Sequence, residues 1–149
     1  MKKVYFASPF FNEEQVEREE RLKAKLRSLG FFVWSPKESC FLKSDAAIED
    51  RIKVFKDNCT NLADSDIIFV VTDGKDVGTI WEAGFACGLN QSRVNKIKVV
   101  YYCETLGNRP FNLMLAQSGN VVITDFNDLD NLTSYLLSGK GKDYVGSIE

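Results

Sequence analysis

The sequence predicts an α/β fold, a three-layer sandwich in which helices cover both faces of a five-stranded parallel sheet. Three observations lead there. Apolar, β-rich runs alternate with helical patterns along the chain, as in βα units wound into a parallel sheet. Several runs are apolar at consecutive rather than alternate positions, Ile67-Ile68-Phe69-Val70-Val71 most clearly, as strands covered on both faces must be. The length, 149 residues of which 44% are hydrophobic, suits one core, so residues 1–149 are expected to form a single domain.

The strands read from the sequence are Val4 to Ala7, Phe31 to Trp34, Ile67 to Thr72, Ile97 to Tyr102 and Val121 to Ile123. Helices are expected near 13–29, 46–63, 79–90, 110–117 and 128–137, an order that fits a flavodoxin-like or Rossmann-like topology. The first helix opens with Asn12 as N-cap and Gln15 three residues on, a capping-box pattern. Leu22, Leu26 and Leu29 share a face, but Gln15, Arg18 and Glu19 occupy that face nearer the start, so the first turns are expected to run past the core toward a polar cleft. In the second helix Ile48, Ile52, Phe55, Cys59 and Leu62 recur at steps of four and three and read as a core stripe; Asn58 borders it and Asp57 lies opposite. Ser138 to Lys142, SGKGK, reads as a flexible connection to a short tail.

Composition narrows the chemistry. Nineteen Lys and Arg against 21 Asp and Glu give a net charge of −2, so there is no basic surplus to hold a nucleic-acid polymer. The chain has no histidine, which removes His general bases, His-containing triads and the commonest zinc sets, and leaves carboxylates, Tyr, Lys or Cys. Cys40, Cys59, Cys87 and Cys103 form no C-x-x-C and read as reduced core thiols. The N-terminal MKKVYFASPF has too short an apolar run for a signal peptide, and no stretch approaches the ~18 apolar residues of a membrane span. A cytoplasmic protein away from membranes, without metal or cofactor, is the expectation.

Ligands of open parallel sheets bind beyond the carboxyl ends of the strands, and the loop after the central strand is the richest in chemistry. It runs Asp73-Gly74-Lys75-Asp76-Val77-Gly78-Thr79 into Ile80-Trp81-Glu82-Ala83-Gly84-Phe85-Ala86-Cys87-Gly88. Glu82 shares a helical face with Phe85, Ala86 and Leu89, which aims its carboxylate along the buried side, where it is costly unless used or satisfied. Two uses stand open: a reactive carboxylate, or the return bond of a Thr79-x-x-Glu82 capping box. Asp73 and Asp76 suit a turn and a helix start as well as a site. Gly74 and Gly78 lack the phosphate-loop pattern and sit among acids that repel an anion.

Three blocks taken together, Val4-Tyr5-Phe6-Ala7-Ser8-Pro9-Phe10-Phe11-Asn12-Glu13-Glu14-Gln15, DVGTIWEAGFACG at 76–88, and Pro110-Phe111-Asn112-Leu113-Met114, resemble the nucleoside 2-deoxyribosyltransferases in order and spacing. The resemblance implies the same α/β fold and transfer of 2-deoxyribose between nucleobases. It implies that Glu82 is the nucleophile that holds the sugar as a glycosyl ester, that Tyr5 positions it, and that Asp76 contacts the nucleobase and helps protonate it on departure. Phe11 is implied to line the base pocket, with Ala7 and Gly78 at the substrate. Asn112 and Met114 are implied to reach a neighbouring subunit's site, making the protein a homo-oligomer acting on 2'-deoxynucleosides and free nucleobases. Many members carry an Asp on the second helix where this chain has Asn58, which alters base contact there. Phe10 and Trp81 suit either core or a shield against water. Two rivals remain: an N-glycoside hydrolase of 2'-deoxynucleoside 5'-monophosphates, disfavoured because the first loop offers no Arg before Arg18, and a non-catalytic nucleotide-sensing α/β module whose acids merely cap helices.

Overall fold

The computed structural model describes residues 1–149. Strands β1 (Lys3–Ala7), β2 (Phe32–Trp34), β3 (Ile67–Val71), β4 (Lys98–Tyr102) and β5 (Val121–Ile123) form one sheet in the order β2-β1-β3-β4-β5, every pair parallel. Between them run helices α1 (Glu13–Ser28), α2 (Pro36–Ser39), α3 (Ile48–Ala63), α4 (Val77–Asn90) and α5 (Leu113–Ser118); a 3₁₀ turn (Phe126–Asn131) and α6 (Leu132–Leu137) follow β5. This is the three-layer, flavodoxin-like α/β sandwich expected from the apolar runs.

The pleat sends alternate residues of each strand to opposite cores. Tyr5, Ala7, Ile68, Val70, Val99 and Tyr101 pack against Leu62 of α3, Ala83 and Ala86 of α4 and Ala116 of α5. Val4, Phe6, Ile67, Phe69, Val71 and Tyr102 pack on the other side against Leu22 and Leu26 of α1 and Leu129 and Leu132 near the C-terminus. The strand order turns back between β1 and β3, so the loops after those two strands flank the crevice where such sheets take ligands.

Several boundaries differ from the sequence expectation for local reasons. Ile97 is buried but outside β4, because its amide and carbonyl both pair with the Asn90 side chain, each at 2.8 Å, rather than with β3. The segment expected to begin a helix at 110 instead places Phe111 in a bridge with Ile148 of the tail, and the helix waits for Asn112 to cap it. Helix α2 was unforeseen; Ser35-Pro36 is its start signal, with proline at the first position.

Two expectations about faces are corrected. Arg18 and Glu19 do not reach a cleft; both are buried, Arg18 bonding Glu14 and Glu104 at 2.6 Å each and Glu19 accepting from Ser35 at 2.9 Å. The stripe of α3 is core only in its second half: Leu62 is buried and Cys59 half-buried, whereas Ile48, Ile52 and Phe55 are exposed, Leu62 being the one α3 residue that enters the buried cluster on the sheet. Trp81 is likewise exposed, and of the four thiols only Cys103 is buried. No helix is long and apolar enough to cross a membrane.

Candidate active site

Tyr5 sits mid-β1 with its side chain toward α3 and α4, and its ring stacks on Trp34 of β2 at 5.1 Å between centroids. Across the crevice, Glu82 lies in the second turn of α4. The Tyr5 hydroxyl donates to Glu82 Oε1 at 2.6 Å, a short charge-assisted bond. No cation approaches this carboxylate closely enough for an ion pair. Burial pushes its pKa up to about 7, the Tyr5 bond pulling it down and the nearby Asp76 charge pushing it further up. Tyr5 is itself held well above the ordinary phenol range, by burial first and by the Glu82 charge second. The phenol therefore stays protonated and remains a donor, while the carboxylate straddles neutral pH.

The second use of Glu82 falls away. Helix α4 begins two residues earlier than expected, with Asp76 as its N-cap: Asp76 Oδ2 accepts from both the Thr79 amide and the Thr79 hydroxyl at 2.8 Å. The cap is thus Asp76-x-x-Thr79, and Glu82, three residues farther in, serves no backbone amide. The approach to that cap is a tight turn in which Gly74 and Lys75 both take positive φ, 82° and 52°. Asp73 is buried and fully committed to the neighbouring loop, accepting from Thr105 N at 2.8 Å and Glu104 N at 3.3 Å. Of the two loop acids only Asp76 keeps a carboxylate oxygen free for another partner.

The sequence model of the family described as nucleoside 2-deoxyribosyltransferase matches residues 4–133, most of the chain. The chain belongs to the nucleoside 2-deoxyribosyltransferase family. Among solved structures it is similar to a 2-deoxyribosyltransferase from the psychrotolerant bacterium Bacillus psychrosaccharolyticus, 31% identical, with TM-score 0.79 over 96% of this chain and 99% of that one. A conserved protein from Enterococcus faecalis V583, 23% identical, shares the fold with TM-score 0.61 over 89% of this chain and 75% of its own. No curated protein matches the sequence. The molecule is a deoxyribosyltransferase, and the family implies deoxynucleoside and nucleobase substrates.

Around the Tyr5–Glu82 pair of this deoxyribosyltransferase, Ala7 lies buried at the end of β1 and Gly78 exposed at the start of α4, where an added Cβ would come within 3.4 Å of Asp76 Oδ2. Asn58 lies half-buried on α3, its Oδ1 shielded from solvent and without a hydrogen-bond partner. An acceptor buried without a donor is costly unless something arrives to satisfy it. Phe11, stacked on Phe10 at 5.3 Å, is exposed on the loop entering α1. Asn112 and Met114 are not gathered with Glu82. They line a separate cleft of about 650 Å³ with Asp73, Lys75, Arg109 and Glu149. Asn112 caps α5, its side-chain oxygen accepting from Met114 N at 3.0 Å and Leu115 N at 3.3 Å, and both Asn112 and Met114 are exposed. Reading the sequence alone misses Trp34, whose contact with Tyr5 depends on the β1–β2 register that sets Tyr5 opposite Trp34. It also misses Cys59, which feels the Glu82 charge and is raised by burial first and that charge second.

Proposed function

We propose that this deoxyribosyltransferase moves 2-deoxyribose between nucleobases by a retaining, two-step mechanism through a glycosyl ester on Glu82. The observation that carries the reading is the Tyr5–Glu82 bond of 2.6 Å on a carboxylate with neither a cation nor a backbone amide to serve. Breaking an N-glycosidic bond builds positive charge on the sugar and negative charge on the base, so the site needs an anion on one side and a proton source on the other. Ionised Glu82 attacks the anomeric carbon as the C–N bond breaks; the bond's electron pair leaves with the base, which takes a proton that Asp76 relays from water. A second base then attacks the same carbon, the ester C–O bond breaks, its electrons return to Glu82, and the incoming base's N–H proton passes by way of Asp76 back to water. Two inversions give net retention and ping-pong kinetics.

Tyr5 fixes the carboxylate oxygen and releases it as the ester forms. Asn58 offers an acceptor to a donor on the base, with Phe11, Ala7 and Gly78 as the remaining contacts. Asn112 and Met114, which line a cleft that does not include their own Glu82, are assigned to the site of a neighbouring copy in a homo-oligomer. Cytoplasmic recycling of purine or pyrimidine deoxynucleosides is the corresponding cellular role. The hydrolase reading loses its phosphate ligand, since Arg18 is committed to Glu14 and Glu104. Incubation with deoxyinosine plus adenine is expected to yield deoxyadenosine and hypoxanthine. Free sugar without transfer, or turnover of deoxynucleoside monophosphates alone, contradicts the proposal.

A further inference from the structure

Of the three polar residues that share the opening face of α1, Arg18 and Glu19 are buried, and Gln15 is the one that arrives at the crevice. Asn12 caps the helix, its side-chain oxygen accepting from the Gln15 amide at 2.9 Å, which is the first half of a capping box. The second half is displaced. In a capping box the glutamine returns a bond to the amide of the cap residue itself, whereas Gln15 Oε1 accepts from the Phe11 amide at 2.7 Å, one residue out into the loop after β1. That loop has little else to hold it. Residues Ser8 to Phe11 make no backbone–backbone hydrogen bond, and Ser8 Oγ donates only to the adjacent Pro9 carbonyl at 3.1 Å. The Phe11 ring stacks on Phe10 and is 73% exposed, so the core does not fix it. The nitrogen end of the Gln15 amide lies against the loop after β3, where a Cβ added to Gly74 would come within 3.3 Å of Nε2. Gly74 thus has two reasons to be glycine, its φ of 82° and the seat it leaves for this amide. Two residues on, Asp76 caps α4.

We infer that Gln15 is a positioning residue for nucleobase binding: its side chain spans the two loops that flank the crevice and holds Phe11 at a fixed distance from the turn that leads to Asp76. The inference rests on the proposed reaction, in which Phe11 and Asp76 face the base. A helix cap alone explains less. Asn12 already serves the first turn of α1, and the Phe11 amide is solvent-accessible, so water could satisfy it at little cost to the fold. The contact with Gly74 belongs to a different loop and does nothing for the helix end. What the strut does is order in advance. An aromatic ring on an untethered loop loses its freedom only when the base arrives, and that loss weakens binding; a ring whose backbone is already pinned avoids it. Gln15 makes no hydrogen bond to Tyr5 or Glu82, so its influence falls on the hold over the base and leaves the sugar chemistry alone.

Steady-state kinetics with deoxyinosine and adenine test this. Gln15→Met keeps the length and removes the bond, and is expected to raise KM for both substrates about 10-fold, with kcat within about 2-fold of the parent and Tm within about 3 °C. Free adenine carries no sugar, so a rise in its KM locates the loss at the base. Gln15→Glu keeps an acceptor for the Phe11 amide and the same shape beside Gly74, and is expected to stay within about 3-fold of the parent KM. Phe11→Ala is expected to raise KM about 10-fold through lost stacking, and combining it with Gln15→Met is expected to add nothing further. Gln15→Ala, favourable in a helix, carries the same expectation as Gln15→Met if the latter misfolds. A lower Tm with unchanged KM is the mark of a cap alone and overturns the inference. So do a fall in kcat without a change in KM, additive effects with Phe11→Ala, or a Gln15→Glu variant as impaired as Gln15→Met. The two claims fail separately: a sugar adduct on Glu82 with KM indifferent to Gln15 defeats the strut alone, and loss of base affinity in Gln15→Met without an adduct on Glu82 in the parent defeats the glycosyl ester alone.

Discussion

Two tyrosine–carboxylate pairs flank the same sheet and behave in opposite ways. On the α3–α4 side Tyr5 donates to Glu82 at 2.6 Å; on the α1 side Tyr102 donates to Glu104 at 3.0 Å. Burial works against ionisation at both. At Glu104 it is overcome by Arg21 and Arg18, bonded at 2.8 and 2.6 Å, with Tyr102 assisting, and the carboxyl is held below its usual range. At Glu82 no cation answers burial, and the carboxyl rises to about 7. The Glu104 cluster ties α1 to the β4 loop. Glu82 keeps its electron pair available, and its cost to the fold is what the proposed reaction uses.

The sharpest way to separate the two is to neutralise each. Glu82→Gln keeps the shape and can still accept from Tyr5 but forms no stable glycosyl ester, so kcat for transfer is expected to fall by at least about 10³-fold. The same change is expected to stabilise the fold, with a definite pH dependence. A carboxyl raised in the folded state favours folding below its unfolded pKa and loses that advantage as pH rises through about 7. The Gln variant is therefore expected to match the parent near pH 4 and to exceed it by on the order of 2–3 kcal/mol at pH 8, read from urea melts. Glu104→Gln is expected to do the reverse, costing about 2–4 kcal/mol at pH 7 by stranding Arg18 and Arg21, with turnover per folded molecule unchanged.

Smaller effects sharpen the picture at Glu82 itself. Tyr5→Phe removes the bond that lowers the Glu82 pKa, so the acid limb of the kcat profile is expected to move to higher pH, with about a 10- to 100-fold loss at pH 7. Asp76→Asn preserves the helix cap, since Asn caps as well as Asp, and removes the charge that raises Glu82. Its acid limb is expected to move to lower pH, while turnover falls about 10-fold through loss of the group that relays a proton to the departing base. Opposite displacements of the two limbs distinguish these roles from general damage.

Much of this was legible before the structure. Consecutive apolar residues marked the central strand, because a strand covered on both faces leaves no polar position, and Asn12 marked the start of α1, its Oδ1 accepting from Gln15 N at 2.9 Å. The face of Glu82 was legible from helical periodicity, its partner Tyr5 only through family resemblance. Three features were not. A stripe such as Ile48-Ile52-Phe55 has the same period whether it meets a core or an uncovered surface. The start of α4 turned on whether Asp76 or Thr79 supplied the cap, and either residue type serves. The ring of Trp34 came to Tyr5 through strand register, which no local pattern encodes.

The central claim is that Glu82 bonds to the sugar. Brief exposure to a slow 2'-fluorinated deoxynucleoside analogue, followed by intact-mass spectrometry and peptide mapping, tests it directly. The account predicts one fluorinated deoxyribosyl adduct per chain, on the peptide carrying Glu82, and its absence from Glu82→Gln. An adduct on another residue, or an unmodified chain while the analogue's base is released, contradicts it.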